Sequence, residues 1–229
     1  MNILKPEHFF DLELIKFKDL FEVNKVYQLL GINLRKYILE NLKQEIHGTV
    51  KRGAFLADKM IFIGKGTVVE PGAYIKGPTI IGENCEIRQG AYIRGNVITG
   101  DNCVIGHATE IKGSVMLNGA KAGHFNYIGD SILGNHVNLG AGTKLANLKI
   151  FNDEISVTAE GYSYATGLRK LGAIMGDNVE IGCNSVTAPG TIIGKKSRIY
   201  SNVSVGGYIK ENHIVKNRAA TEVVKIEKR

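Results

Sequence analysis

The hydrophobic pattern of the chain has a period of six. An aliphatic residue or small stand-in recurs at Ile63, Val69, Ile75, Ile81, Ile87, Ile93, Thr99, Ile105 and Ile111. The series continues at Met116, Ala122, Ile128, Leu133, Leu139 and Leu145, and resumes at Met175, Ile181, Thr187, Ile193, Ile199 and Val205. Two steps, Ile111 to Met116 and Ile128 to Leu133, are five residues long. The following residue is very often glycine, as at Gly64, Gly82, Gly106 and Gly182, and a small or β-branched residue stands two places before, as at Thr67, Ala73, Cys85 and Cys103. Twenty-one positions in near-perfect register predict a solenoid.

Each hexad is one short strand and a turn, too small to bury its own apolar side. Three hexads close a triangular coil, and stacked coils bury the aliphatic ladder while pairing backbones in parallel. Residues eighteen apart then stack at about 4.8 Å. Glycine tolerates the backbone angles expected at the corners. The predicted fold is mainly β, a parallel β-helix of about seven rungs between Lys59 and Tyr208. Its left-handed winding is inferred from similarity to hexapeptide-repeat proteins.

The expected organisation has three parts. Residues 1–48 carry no hexads and are read as a helical cover for the open end of the coil. Its helices are placed at Glu7–Leu12, from an Asn24 cap to Gly31, and from an Asn33 cap to about Lys43. Residues 49–210 form the coil, with an insertion at 146–172 that leaves the register intact and is read as a loop projecting from one corner. Residues 211–229 read as a last strand and a basic tail.

Composition narrows the setting. Glycine is abundant, at 28 residues, and tryptophan absent, which suits a repetitive coil. No apolar run is long enough for a membrane span and the start lacks a signal-peptide plan, so a cytoplasmic protein is expected. Cys85 and Cys103 are eighteen apart and should stack, reduced, inside the coil. The net charge of +7 matters through its placement. Lys76, Arg94 and Lys112 follow third-side aliphatic positions and should stack, repelling one another unless solvent or an anion neutralises them. The insertion leaves at this corner and returns Arg169 and Lys170 toward it. Spacing leaves two readings open, a phosphate-binding corner and a solvated basic ladder. His107 and His124 should stack one rung apart, but His136 falls off the equivalent position, so a three-imidazole zinc site is not expected.

The stretch KAGHFNYIGDSILGNHVNLGAGT resembles the acetyltransferase domain of the bifunctional N-acetylglucosamine-1-phosphate uridyltransferase/glucosamine-1-phosphate acetyltransferases. The insertion ending TGLRKLGAIMGDNVEIG is similar to that of the archaeal two-activity sugar-phosphate enzymes. The resemblance spans roughly residues 60–218. It implies His124 as the base toward the sugar amine, with Glu110 orienting the imidazole. It implies Arg94 and Lys112 as phosphate cations, Tyr127, Asn138 and Asn147 as sugar contacts, and Lys170 as the loop lysine. Arg218, Ser201 and Cys183 are implied on the acetyl-CoA side. Leu148 departs from the aromatic found there. The resemblance further implies a homotrimer with no metal requirement, binding an amino-sugar phosphate and acetyl-CoA, and no nucleic-acid or membrane partner. The residues ahead of the coil leave no room for a nucleotidyltransferase half, so that activity is expected to be missing or held by a separate partner. A different amino-sugar acceptor, or a non-catalytic sugar-phosphate-binding solenoid, are the competing readings.

Overall fold

The computed structural model describes residues 3–217. It is a parallel β-solenoid whose first, second and third sides, counted from Ile63, Val69 and Ile75, carry eight, nine and eight strands. Offsets of eighteen residues between stacked positions shorten to seventeen where the five-residue steps fall, as in Ile105 against Ala122 and Ile111 against Ile128. Across the insertion the offset grows to forty-two, yet Ile132 still pairs with Ile174 and Leu139 with Ile181. The aliphatic ladder, with Cys85 and Cys103 in it, forms one continuous buried core. Both thiols are buried and free, and the Cys103 amide donates to Cys85 Sγ at 3.4 Å.

The coil is longer than the seven rungs expected. It opens at Thr49–Val50 and Phe55–Leu56, ahead of Lys59, and closes with Ile214–Val215 paired to Arg198–Ile199. Those terminal hexads lack the aliphatic-glycine signature, so the periodic signal fades before the pairing does. The glycines after the aliphatic positions also serve a different purpose from the one expected. None of them has positive φ. A Cβ on Gly82 would stand 2.2 Å from the Gly100 carbonyl oxygen, and one on Gly106 1.7 Å from that of Gly123. Close approach of rungs selects these glycines; left-handed corners are taken by other glycines, such as Gly66, Gly90 and Gly142, and by asparagines, among them Asn84, Asn102 and Asn184.

The N-terminal segment does not close the end of the coil. It lies along the outer face of the first side. The outward residues there are Ile80, Ile98, Val115, Ile132, Ile174 and Ile192, one apolar residue per rung, and all pack into a second core with Phe9, Phe10, Phe21, Val26, Leu34 and Ile38. Exposed to water, that column would forfeit the burial it gains here, about 25 cal/mol per Å² of apolar surface. The segment is mostly short 3₁₀ turns, Pro6–His8, Leu12–Leu14, Lys18–Phe21 and Val26–Leu29, before one α-helix at Ile32–Asn41. Gly31 rather than Asn33 precedes that helix, and Asn24 caps none of the turns. Polar ties fix the docking: Asp177 Oδ2 accepts from the Asp11 amide at 2.7 Å, and its Oδ1 accepts from the Asn135 amide at 2.7 Å. Lys16 bridges Glu83 and Asp101 at 3.0 and 2.9 Å.

The insertion also folds back rather than projecting. Its antiparallel hairpin, Ser156–Ala159 with Tyr162–Ala165, turns Ile155, Val157 and Ala159 onto the same apolar side. Its first turn stands clear, with Ile150 and Phe151 97% and 85% exposed, as does the hairpin turn at residues 160–162. No helix among the described residues is long and apolar enough to cross a membrane.

The cover thus contributes to stability as a second core. Ile132 faces outward from the coil yet is fully buried. Ile132→Ala should cost about 2–5 kcal/mol, the range for a buried aliphatic truncated to alanine. Chemical denaturation measures this; a loss near zero would mean that the cover is not docked in solution.

Candidate active site

The third side ends in a cluster of charged and polar groups. Backbone pairing runs from Lys76 to Ile93 and from Arg94 to Ile111, so the three cations do stack on successive rungs. They are not left bare. Arg94 Nη1 donates to Glu110 Oε1 at 2.7 Å, and Lys112 Nζ to Asp130 Oδ2 at 2.5 Å. The second pair is well enclosed, its side chains 17% and 15% exposed. Lys76 Nζ instead lies 5.9 and 5.5 Å from the ring centroids of Tyr74 and Tyr92, and a hydrogen bond with Tyr92 raises its pKa. Carboxylates and aromatic faces therefore do the neutralising that the bare ladder required.

Two further predicted residues join this corner. Asn147 Nδ2 donates to Asp130 Oδ2, and the Tyr127 hydroxyl donates to Asn147 Oδ1 at 3.3 Å. Burial, and then the negative charges of Glu110 and Asp130, push the Tyr127 phenol above its usual pKa. The insertion closes here, because the Leu171 amide donates to the Asn147 carbonyl and the Gly172 amide to that of Asp130. Lys170 therefore sits exposed beside the corner, as its place in the sequence suggested. Arg169 is turned to Asn152 Oδ1 at 2.9 Å. Asp130, which the sequence reading passed over, joins the cluster by accepting from both Lys112 and Asn147. Its sequence signal is a carboxylate eighteen residues after Lys112 at a corner where the two preceding rungs have Gly95 and Gly113.

His124 belongs to a different face. It ends the second-side strand Lys121–His124 and pairs in register with His107. Its side chain lines an open groove of about 510 Å³ with Arg88, Lys121 and Asn138. The groove continues into a second of about 540 Å³ that shares Asn138 and Gly140 and reaches Cys183 and Ser201. His107 is held otherwise, with Nδ1 2.9 Å from the Gln89 carbonyl oxygen and its ring edge-on to Phe125 at 5.2 Å. Within the chain the Glu110 carboxylate accepts from Arg94 on the third side, while His124 stands on the second. Gly129, the rung partner of Lys112, follows His124 by five positions, so their Cα atoms stand at most roughly 18 Å apart. Within one chain the predicted residues thus form two neighbouring groups. Arg218 lies outside the described residues.

A family model described as the GMPPB C-terminal domain matches residues 75–164. The chain is 34% identical over 208 residues to a bifunctional sugar-1-phosphate nucleotidylyltransferase/acetyltransferase of Sulfurisphaera tokodaii, covering 90% of this chain and 50% of that protein. It is 34% identical over 194 residues to the bifunctional protein GlmU of Methanococcus aeolicus, covering 85% of this chain and 46% of that one. The chain spans about half the length of these curated relatives. Among solved structures, the UDP-N-acetylglucosamine acyltransferase of Francisella novicida aligns with a TM-score of 0.52 at 21% identity, over 70% of this chain and 62% of that one. That likeness is one of fold. The resemblance read from the KAGHFNYIGD region thus extends, as sequence similarity, over nine-tenths of the chain.

The Tyr127 environment makes a pH prediction. A phenol whose folded pKa is raised lends stability that is fully present below the ordinary value of 10.0 and is lost as pH rises through the folded value. Ultraviolet titration of wild type against Tyr127→Phe should therefore show one phenol missing from the late-ionising fraction, above pH 10.0. A missing phenol in the ordinary range would contradict this.

Proposed function

We propose that the chain is an acetyl-CoA-dependent N-acetyltransferase acting on a phosphorylated amino sugar of the glucosamine-1-phosphate kind. The observation that carries this reading is the pairing of a corner built from Arg94, Lys112, Tyr127 and Asn147 with a groove that presents His124 and Asn138. Similarity to half of two bifunctional proteins, one of them named as an acetyltransferase, supports it.

In this reading the sugar phosphate is held at Arg94 and Lys112 through charge-assisted hydrogen bonds. Tyr127 and Asn147 contact the sugar. Neutral His124 takes a proton from the amine as nitrogen attacks the thioester carbonyl; the N–C bond forms, the C–S bond breaks, and coenzyme A leaves as the thiolate. The groove running from His124 past Asn138 to Cys183 and Ser201 suits the extended donor. Two groups of residues on adjacent faces fit an assembly whose sites are completed between copies. We take this assembly to be a homotrimer, with Arg218 of one tail reaching a neighbouring site and Lys170 closing the corner. The protein would work in the cytoplasm, with any nucleotidyl transfer left to another domain or partner.

The test is thiol release from acetyl-CoA with a panel of amino sugars, phosphorylated, nucleotide-linked and free. His124→Ala should lower kcat by about 10²–10⁴-fold while leaving the fold and substrate binding intact. His107→Ala, one rung away, should keep most activity. A dead His107→Ala with an active His124→Ala would move the base. No release with any acceptor would favour the sugar-phosphate-binding solenoid.

Arg94→Ala separates the two substrates. Losing a charge-assisted contact should weaken the phosphorylated acceptor by about 1.5–3 kcal/mol and leave acetyl-CoA binding nearly unchanged. Equal losses for both would place the phosphate elsewhere.

A further inference from the structure

At the corner between the third and first sides the chain departs from its own rule. Gly95 and Gly113 occupy this corner on successive rungs, at φ +88° and +56°. The next rung places Asp130 there at φ +44°. A side chain in left-handed backbone costs stability, and aspartate is one of the few residues that tolerate it. Other left-handed corners carry mostly glycine or asparagine, with Ala108, Phe125, His136 and Lys196 besides, so the backbone alone does not require a carboxylate. The side chain is instead explained by what it touches. It accepts from Lys112 Nζ and from Asn147 Nδ2, while the Asp130 carbonyl accepts from Gly172 at the root of the insertion.

We infer that Asp130 is a positioning and specificity residue of the acceptor corner, holding Lys112 and Asn147 in place and setting the charge against which an incoming phosphate must exchange. This inference rests on the acceptor-phosphate reading above. The two ion pairs, Arg94 with Glu110 and Lys112 with Asp130, leave their four groups with no net charge. A neutral hydroxyl has nothing to offer Lys112 that the carboxylate does not. A phosphate does, because its several charged oxygens can take the ammonium and the Arg94 guanidinium together. Asp130 then remains beside the anion and repels it. The corner gives up affinity and in return keeps Lys112 extended and the Asn147 amide aimed before the ligand arrives, so less ordering remains to be done on binding.

The experiment titrates inorganic phosphate and glucosamine-1-phosphate into the full chain by calorimetry, with Asp130→Asn, Asp130→Gly and Arg94→Ala alongside. Asparagine keeps the shape, tolerates the left-handed backbone and can still accept from Asn147, so it removes the charge alone. Asp130→Asn should bind inorganic phosphate about tenfold more tightly than wild type, as expected when one partly screened like charge is deleted. Its KM for the sugar phosphate should fall without a rise in kcat. Asp130→Gly restores the residue of the preceding rung and guards against a variant that fails to fold. It should also tighten inorganic phosphate, but raise the KM of the sugar because Asn147 is no longer held. A merely structural aspartate would lower thermal stability and tighten nothing. If neither variant gains phosphate affinity while Arg94→Ala loses it, the inference is wrong and the phosphate corner stands. If wild type and Arg94→Ala bind phosphate alike, the corner reading and this inference fall together.

Discussion

Everything in this molecule depends on backbone pairing between rungs. Each inner strand of the coil pairs in parallel with the strands of the rungs above and below, and strands of two to four residues depend on that pairing. That constraint turns the chain into columns. A residue type chosen at one position is repeated, one rung on, at a distance of about 4.8 Å. The register survives offsets of seventeen, eighteen and forty-two residues because the pairing responds to strand alignment and not to the length of chain between. It also fixes where glycine is obligatory: at the approach of Gly106 to Gly123 there is no room for a methyl group.

The three outer columns divide the work. The first side is apolar on successive rungs and would be an exposed hydrophobic stripe; the N-terminal segment and the hairpin of the insertion cover it. The second side carries polar and charged residues over bare glycine backbone, which leaves a groove along the coil. The third side is aromatic in its early rungs, with Phe55, Tyr74 and Tyr92 in contact, and becomes a charged cluster at Glu110 and Tyr127. Both covering elements use the same side, so the two faces that hold the proposed chemistry stay open. The insertion meets both demands at once. Its hairpin belongs to the second core, while its two ends are clamped to Asn147 and Asp130 at the corner.

How much of this could be read beforehand follows from what repeats. The period of six and the stacking of Arg94 on Lys112 were readable because both are column properties. The position of the N-terminal cover was misjudged, although its signal was present: Ile80, Ile98, Val115, Ile132, Ile174 and Ile192 each stand just before an inward residue. Attention to the inward ladder hid the outward one. The helix boundaries around Asn24 and Asn33 failed because 3₁₀ turns are held by tertiary packing rather than by caps. Asp130 was missed because its importance lies in contacts to Lys112 and Asn147 across rungs, and no spacing rule in one dimension weights a single exception to a glycine corner. The division of the site residues between two faces was likewise invisible to a rule that measures height along the coil but not position around it.

The charged corner shows how a stack of cations is neutralised from within the chain. Two unit charges at the rung spacing would repel by about 3–4 kcal/mol at an effective dielectric near 20. Solvent reduces this for Arg94, whose side chain is 42% exposed, and less for Lys112 at 17%. The fold meets the larger burden with the nearer carboxylate: Asp130 stands 2.5 Å from Lys112, and Glu110 2.7 Å from Arg94. The nearest charge to each cation is then an anion rather than the next rung's cation. Stability no longer depends on a ligand, and the coil can fold and pack before any phosphate is present. A phosphate bound at this corner, as proposed, would therefore exchange with carboxylates already in place rather than fill an unmet need. Such an exchange discriminates by the charge and oxygen count of the incoming group. Under the proposed function, that property would let the corner tell a phosphorylated sugar from neutral ones of the same shape.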